Sequence, residues 1–343
     1  MRVLVAIGVM CLCLAAAGSA RPAAALDSAA LLARFQPVLY FHAAEDWAPE
    51  TAETFVGRAK VEKQVSRDSW RAQAGPPPTS NTGCTLSPCY RLNLPCRLHD
   101  GDACYERDST VAAWKRAVVY GRVLEVPPGS PPPPGLTTPP AYLVRYWFFY
   151  DFDDYRTARE RLWQAHEGDW ESVTVGLDAA QAPLFAAYSQ HCSGTVRPWA
   201  NVRVVATTHP AVYVALGSHA NYFENVSSPT YFAQCLYRYV PSGQISKAAR
   251  LVKAAQDRIV DRTGTAHPLG PPGLPGVAPA AIRNLGAGLF PRWARFPGRW
   301  SEGQLLWLGR TPHRLTSVSE GYGPATPNWT ATSVPSLWHA ASS

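Results

Sequence analysis

The sequence predicts a mainly β protein: an antiparallel β-sandwich with a short N-terminal helix, one helix after the sandwich and long Pro/Gly-rich loops. Three observations lead there. Short β-prone runs follow one another closely between Ala141 and Val240, as they do in antiparallel sandwiches. One run, Tyr142-Leu-Val-Arg-Tyr-Trp-Phe-Phe-Tyr150, is apolar on nearly both faces, as a strand covered on two sides must be. The 32 prolines and 25 glycines among 343 residues punctuate these runs and leave long stretches that can only be turns and loops.

Taken in order, residues 1–25 read as a secretory signal: Arg2, then the apolar run Val3 to Ala17, then small residues at Gly18-Ser19-Ala20 or Ala23-Ala24-Ala25. That run is too short for a comfortable membrane span, and nothing later is long and apolar enough to cross a bilayer. The expectation is a secreted, extracellular chain without a transmembrane anchor, folded as one sandwich domain over residues 26–343. Asp27 caps a short helix through Leu32 and Arg34, and Pro37 to His42 forms a first strand. Residues 75–108 form a turn-rich loop holding Cys84, Cys89, Cys96 and Cys104. With Cys192 and Cys235 these make six cysteines beyond the signal, and an even number in an exported chain favours disulfides. Their spacings lack the paired C-x-x-C knuckles of a zinc site. Connectivity stays open, with Cys192 and Cys235 one candidate pair.

Val118 to Val126 alternates as a strand does. Residues 127–140 hold eight prolines in fourteen positions and form an extended, solvent-exposed loop. The core strands lie within 141–240: Tyr142–Tyr150, Asp169–Leu177, Leu184–Gln190, Val202–Thr207 and Val212–Leu216. Helical spacing then recurs over 245–261 at Ile245, Ala248, Ala249, Val252, Ala255 and Ile259. The segment 268–343, rich in Pro, Gly and Trp, wraps the sandwich.

The formal charge of +7 falls to +5 without the signal, which carries Arg2 and Arg21 and no acid. The basic residues are scattered, which excludes a nucleic-acid stripe. Asn225-Val-Ser227 and Asn328-Trp-Thr330 have the spacing of glycan acceptors.

Chemistry concentrates at His166-Glu-Gly-Asp-Trp-Glu171. In a strand, residues two apart share a face, so Asp169 and Glu171 project together. His166, set off by Gly168, curls back from a turn toward the same spot. Two carboxylates and an imidazole are a ligand set for a divalent cation or an acid/base pair. Asp153 or Asp154, at the end of the central strand, supplies a further oxygen, and His191 and His219, also at strand ends, reach the same rim. Ca²⁺, Mg²⁺ or Mn²⁺ suits this oxygen-rich set ahead of Zn²⁺. Ser218 beside His219 does not by proximity make a nucleophile. A different outcome for the same segment has Asp169 capping a turn and Glu171 pairing a buried arginine such as Arg145.

Two resemblances join this reading. Leu39-Tyr-Phe-His-Ala-Ala-Glu-Asp-Trp-Ala-Pro49, Arg145-Tyr-Trp-Phe-Phe-Tyr150, His166-Glu-Gly-Asp-Trp-Glu171, Val212-Tyr-Val-Ala-Leu-Gly-Ser-His-Ala-Asn-Tyr-Phe223, Trp300 and Gly321-Tyr-Gly-Pro324 resemble the vacuolar protein sorting-associated protein 62 family. That resemblance runs from about Phe35 to about Trp329 and implies no particular reaction. Ala165-His-Glu-Gly-Asp-Trp-Glu171 is also similar to the Gly-His-Arg-His-Asp-Trp-Glu hallmark of necrosis- and ethylene-inducing peptide-like proteins. Gly168 replaces its second His and Ala165 its Gly, and the similarity covers the middle region alone. It implies a β-sandwich holding a divalent cation beside a glycolipid head-group site, with His166, Asp169 and Glu171 as ligands and an Asp from Asp151–Asp154 as a fourth.

The expectation is therefore a secreted sandwich whose cation site, built from His166, Asp169, Glu171 and Asp153, binds a surface glycan or lipid head group. One alternative is a metal-dependent hydrolase with His191 or His219 as general base. The other is a structural surface protein in which the same residues form a buried polar network. Oligomeric state is not legible.

Overall fold

The computed structural model describes residues 26–66, 69–86, 89–96, 114–156, 162–191, 193–229, 260–286, 290–301, 304–308, 311–315, 331–334 and 339–340. The expected signal, Cys104, Cys192, Cys235 and the expected helix up to residue 259 lie outside these residues. The last two residues assigned to that helix, Val260 and Asp261, are in a strand instead.

The chain opens with α1 (Ser28–Phe35), whose N-cap Asp27 accepts a hydrogen bond from the Ala30 N–H. β1 (Val38–Phe41) follows, then α2 (Ala52–Arg58), capped by Thr51. β2 (Lys60–Ser66), β3 (Ser69–Ala72) and β4 (Tyr90–Asn93) form a small antiparallel sheet. β5 (Val118–Glu125) leads through the Pro-rich loop, which carries turns and no strand, into β6 (Tyr142–Arg156). β7 (Leu162–Leu177), β8 (Pro183–Gln190) and β9 (Ser193–Pro198) complete a meander. Next come β10 (Val204–Val205), β11 (His209–Val214), β12 (Asn221–Tyr222) and β13 (Ser227–Pro229). After residue 259 the strands are β14 (Val260–Arg262), β15 (Ala266–Gly270), β16 (Ala278–Pro279), β17 (Ala281–Asn284), β18 (Gln304–Leu308), β19 (Thr311–Leu315) and β20 (His339–Ala340).

The strands build a sandwich-like pair of larger sheets. One runs β17-β5-β6-β7-β8-β9-β20, with β18 on β7 and β19 on β18; the other runs β10-β11-β1-β15-β16, with β12 on β11. The expectation of an antiparallel architecture holds for the meander, while several pairings outside it are parallel. β17 on β5, β20 on β9, β1 on β11 and β16 on β15 pair in parallel. The first three bring together segments distant in sequence, which a parallel pairing tolerates because its connection is long.

β6 is covered on both faces, as its composition requires. Val144, Tyr146, Phe148 and Tyr150 join Val173, Val175 and Tyr188 in a core that includes Leu39 and Phe41 of β1 and Val212 and Val214 of β11. Across the strand, Phe149 packs on Phe55 of α2 and on Trp170 and Trp300, and Leu143 joins Leu124, Phe185, Ala187 and Val196. α1 buries Leu31, Leu32 and Phe35, and the Tyr146 hydroxyl donates to the Leu32 carbonyl. This bracing makes the β6–β7 ladder a rigid platform for the polar residues at its end.

Candidate metal centre

β6 and β7 pair without a slip from Tyr142–Leu177 to Tyr155–Gln164, which sets Asp153 directly opposite His166 and Tyr150 opposite Asp169. Cross-strand partners lie within side-chain reach. Strict alternation along β7 would send His166 and Asp169, three residues apart, to opposite faces. Between them Gly168 adopts a left-handed backbone, φ +60°, a departure from regular strand geometry that lets both side chains reach one spot. The neighbouring side chains follow: Glu167 accepts from the Leu94 N–H while Trp170 packs on Trp300. The turn expected between His166 and Asp169 is thus absent; one glycine inside a continuous strand does its work.

Asp153, His166 and Asp169 each offer a ligand atom, and these atoms all lie within 4.8 Å of one another. All three residues are buried, with His166 at 8 % and Asp169 at 7 % retaining slight exposure. His166 Nδ1 lies 3.2 Å from the Glu167 carbonyl, so the nitrogen carrying hydrogen faces the backbone. Its Nε2 then points a lone pair toward Asp153 Oδ2, 3.3 Å away. Burial pulls the imidazole below its ordinary pKa, against the opposing pull of Asp169, which favours the neutral form, the one that ligates metals. Burial, reinforced by the Asp169 carboxylate, pushes Asp153 well above the usual carboxylate range. A lone pair and a carboxylate oxygen facing each other in low dielectric need a positive centre between them, either a cation or a proton. Two oxygens and one neutral imidazole fit a hard or borderline divalent ion.

The other candidates sit around this trio. Glu171 does not join it: its carboxylate accepts from the Ser189 hydroxyl and from Asn221 Nδ2, and burial with the Asp169 charge raises its pKa well above normal. Nor does Glu171 pair with Arg145. That guanidinium, buried and held down to a pKa of about 10 by desolvation, donates to Thr174 Oγ1 and to the carbonyls of Ala331 and Ser333. Asp154, pushed up to about 7 by burial and the nearby Glu45 carboxylate, lies against the turn at Gly217, where an added Cβ would come within 2.7 Å of its carboxylate.

His191 and His219 both adopt left-handed backbones, φ 54° and 52°, uncommon for non-glycine residues, though less so for His, Asn and Asp than for others. His191 Nε2 faces Asp261 Oδ2 at 2.8 Å, and that carboxylate also accepts from Ser218 and Tyr222. Burial lowers the His191 pKa but Asp261 outweighs it, leaving a net rise. His219, fully buried, donates from Nδ1 to Asp169 Oδ2 at 2.9 Å and lies flat on Tyr150 at 3.7 Å. Burial again acts downward on it, and the Glu45 and Asp169 charges carry it well above normal.

Glu45, Ser189, Asn221 and Asp261 belong to this cluster and were not legible as such. An acid three residues beyond a strand, between Phe41 and Trp47, is the signal that Glu45 offered.

No protein-family model matches the chain and no curated protein matches it, so membership of the vacuolar protein sorting-associated protein 62 family is not shown. Among solved structures the chain is similar to necrosis- and ethylene-inducing toxin-fold proteins. A triple mutant of NLPPya shares 18 % identity at a TM-score of 0.29, over 60 % of this chain and 70 % of that one. NLPPya in complex with glucosamine shares 17 % at 0.30, over 57 % and 67 %. Necrosis and Ethylene inducing Protein 2, from the causal agent of cocoa's witches' broom disease, shares 17 % at 0.26, over 53 % and 60 %.

Proposed function

We propose that this protein, exported and stapled by disulfides, binds a divalent cation through Asp153, His166 and Asp169. The cation's remaining coordination positions are available to hydroxyl or phosphate oxygens of a surface glycan or lipid head group. The observation that carries the reading is the 3.3 Å approach of His166 Nε2 to Asp153 Oδ2 with Asp169 beside them. Three protein ligands leave a six- to eight-coordinate ion such as Ca²⁺ or Mn²⁺ open for others, and the residual exposure of His166 and Asp169 is where those ligands would enter. The Cys84–Cys89 disulfide supports an oxidising compartment.

Calorimetric titration of the purified chain with Ca²⁺, Mg²⁺ and Mn²⁺ tests the site, with Asp153→Asn plus Asp169→Asn as the control. Saturable heat lost in the double variant is expected; the same heat in both proteins rejects the site. Retention on glycolipid vesicles that EDTA abolishes would support the oxygen-bridging role, and retention indifferent to EDTA would count against it.

A second reading, a structural polar network, is favoured by a specific observation. Asp169, Glu171 and Asp261 each already have side-chain partners, and a proton shared by Asp153 and His166 would satisfy that pair. Elemental analysis separates the two: a purified chain free of metal, which takes up none on dialysis, supports the network.

A further inference from the structure

We propose that His219, held against Glu45, is the positioning residue that orients Asp169 for the cation, an inference resting on the cation reading above. Among the described residues, His219 Nδ1 is the hydrogen-bond partner of Asp169, and it engages Oδ2 alone. A ligating carboxylate fixed through one oxygen presents the other in a defined direction, the usual arrangement behind a metal ligand.

The way His219 is held indicates a part built for direction. Its ring stacks parallel to that of Tyr150, within 5° at 3.7 Å between centroids, so the side chain has one plane available. Its backbone N–H donates to the Ala215 carbonyl in a left-handed conformation, φ 52°. The turn bearing it is pinned at Gly217, whose N–H donates to Glu45 Oε2. The other ring nitrogen, Nε2, is buried without a hydrogen-bond partner, 3.6 Å from Glu45 Oε1. A packing residue would need neither the strained backbone nor a second carboxylate facing its far nitrogen. Glu45 thus holds the turn through Oε2, while Oε1, which accepts from the Trp47 N–H, faces the ring's far nitrogen.

The test uses Mn²⁺, which reports by calorimetry and by its electron paramagnetic resonance spectrum, on the full chain with its disulfides intact. His219→Gln moves the amide away from the Nδ1 position and is expected to weaken Mn²⁺ binding about 10- to 100-fold and to change the spectrum. His219→Asn places a donor where Nδ1 stood, tolerates the left-handed backbone, and is expected to restore both. A folded His219→Gln variant with wild-type affinity and spectrum overturns the proposal, as does an Asn variant as weak as Gln. Should His219→Gln not fold, Glu45→Gln decides: an altered spectrum with weaker binding supports the relay, and an unchanged one overturns it. A wild-type chain that binds no Mn²⁺ rejects the cation reading itself, whereas binding that ignores His219 rejects the positioning role alone.

Discussion

At the scale of single residues, the centre depends on one that contributes no side chain. Gly168 turns a period-two strand so that His166 and Asp169 face each other. A Cβ there would lie 2.4 Å from the Trp300 carbonyl oxygen and 2.8 Å from its Cβ, and the backbone conformation is itself unfavourable for an L side chain. Gly168→Ala is expected to cost about 1–3 kcal/mol, read from urea unfolding, and to weaken cation binding as well. An Ala variant with wild-type stability would show that the strand does not need its left-handed residue. The sequence made Asp153, His166 and Asp169 legible because they are near one another in the chain or end neighbouring strands. Glu171 was grouped with them by alternation and by the family resemblance, neither of which sees Ser189 and Asn221 donating to its Oε2. Glu45 and His219 were harder still. Their meeting depends on how the β1 end and the β11–β12 turn are stacked, which no local pattern encodes.

At the scale of elements, patterning served well where a face is buried and poorly where it is not. α1, β1, β5 and β8 fall within a few residues of expectation because capping, alternation or continuous apolarity marks them, and β6 starts as expected but runs six residues past Tyr150. β7 begins seven residues before the expected Asp169, since polar residues there face one another across a ladder. β4 lies within the segment 75–108 expected as loop, and α2, β2 and β3 lie in a stretch where no element was expected; β2 and β3 are largely exposed and lack alternation. Contacts between elements supply the pH dependence. His191, in the turn after β8, pairs with Asp261 of β14, and its pKa is raised on folding. A group raised in the folded state contributes stability that is complete below its unfolded value, near 6.5, and fades as pH climbs through the higher folded value. The gap in melting temperature between wild type and His191→Gln is therefore expected to be largest near pH 5.5 and to shrink toward pH 9. A gap independent of pH would mean that the pair carries no charge.

For the whole molecule, the broad class was legible because strand density and turn punctuation are global statistics. The sheet order was not, because the parallel additions join residues far apart in the chain. Among the described residues no helix is long and apolar enough to cross a membrane. A cation bound only by the folded chain raises the free energy of unfolding, by about 2.7 kcal/mol at a hundredfold excess over its Kd. Thermal melts with Mn²⁺ are expected to shift upward in proportion to the logarithm of its concentration; a flat response would leave the folded state without a cation to lose.

The placement of the marginal strands also bears on how the chain is made. β5 and β1, early in synthesis, find their outer neighbours only in β17 and β15, well over a hundred residues later. A ribosome delivering this polypeptide therefore releases the meander with unzipped borders, the state most prone to stick to other nascent chains. Assembly is necessarily late and slow, paced by the entropy of closing those long loops.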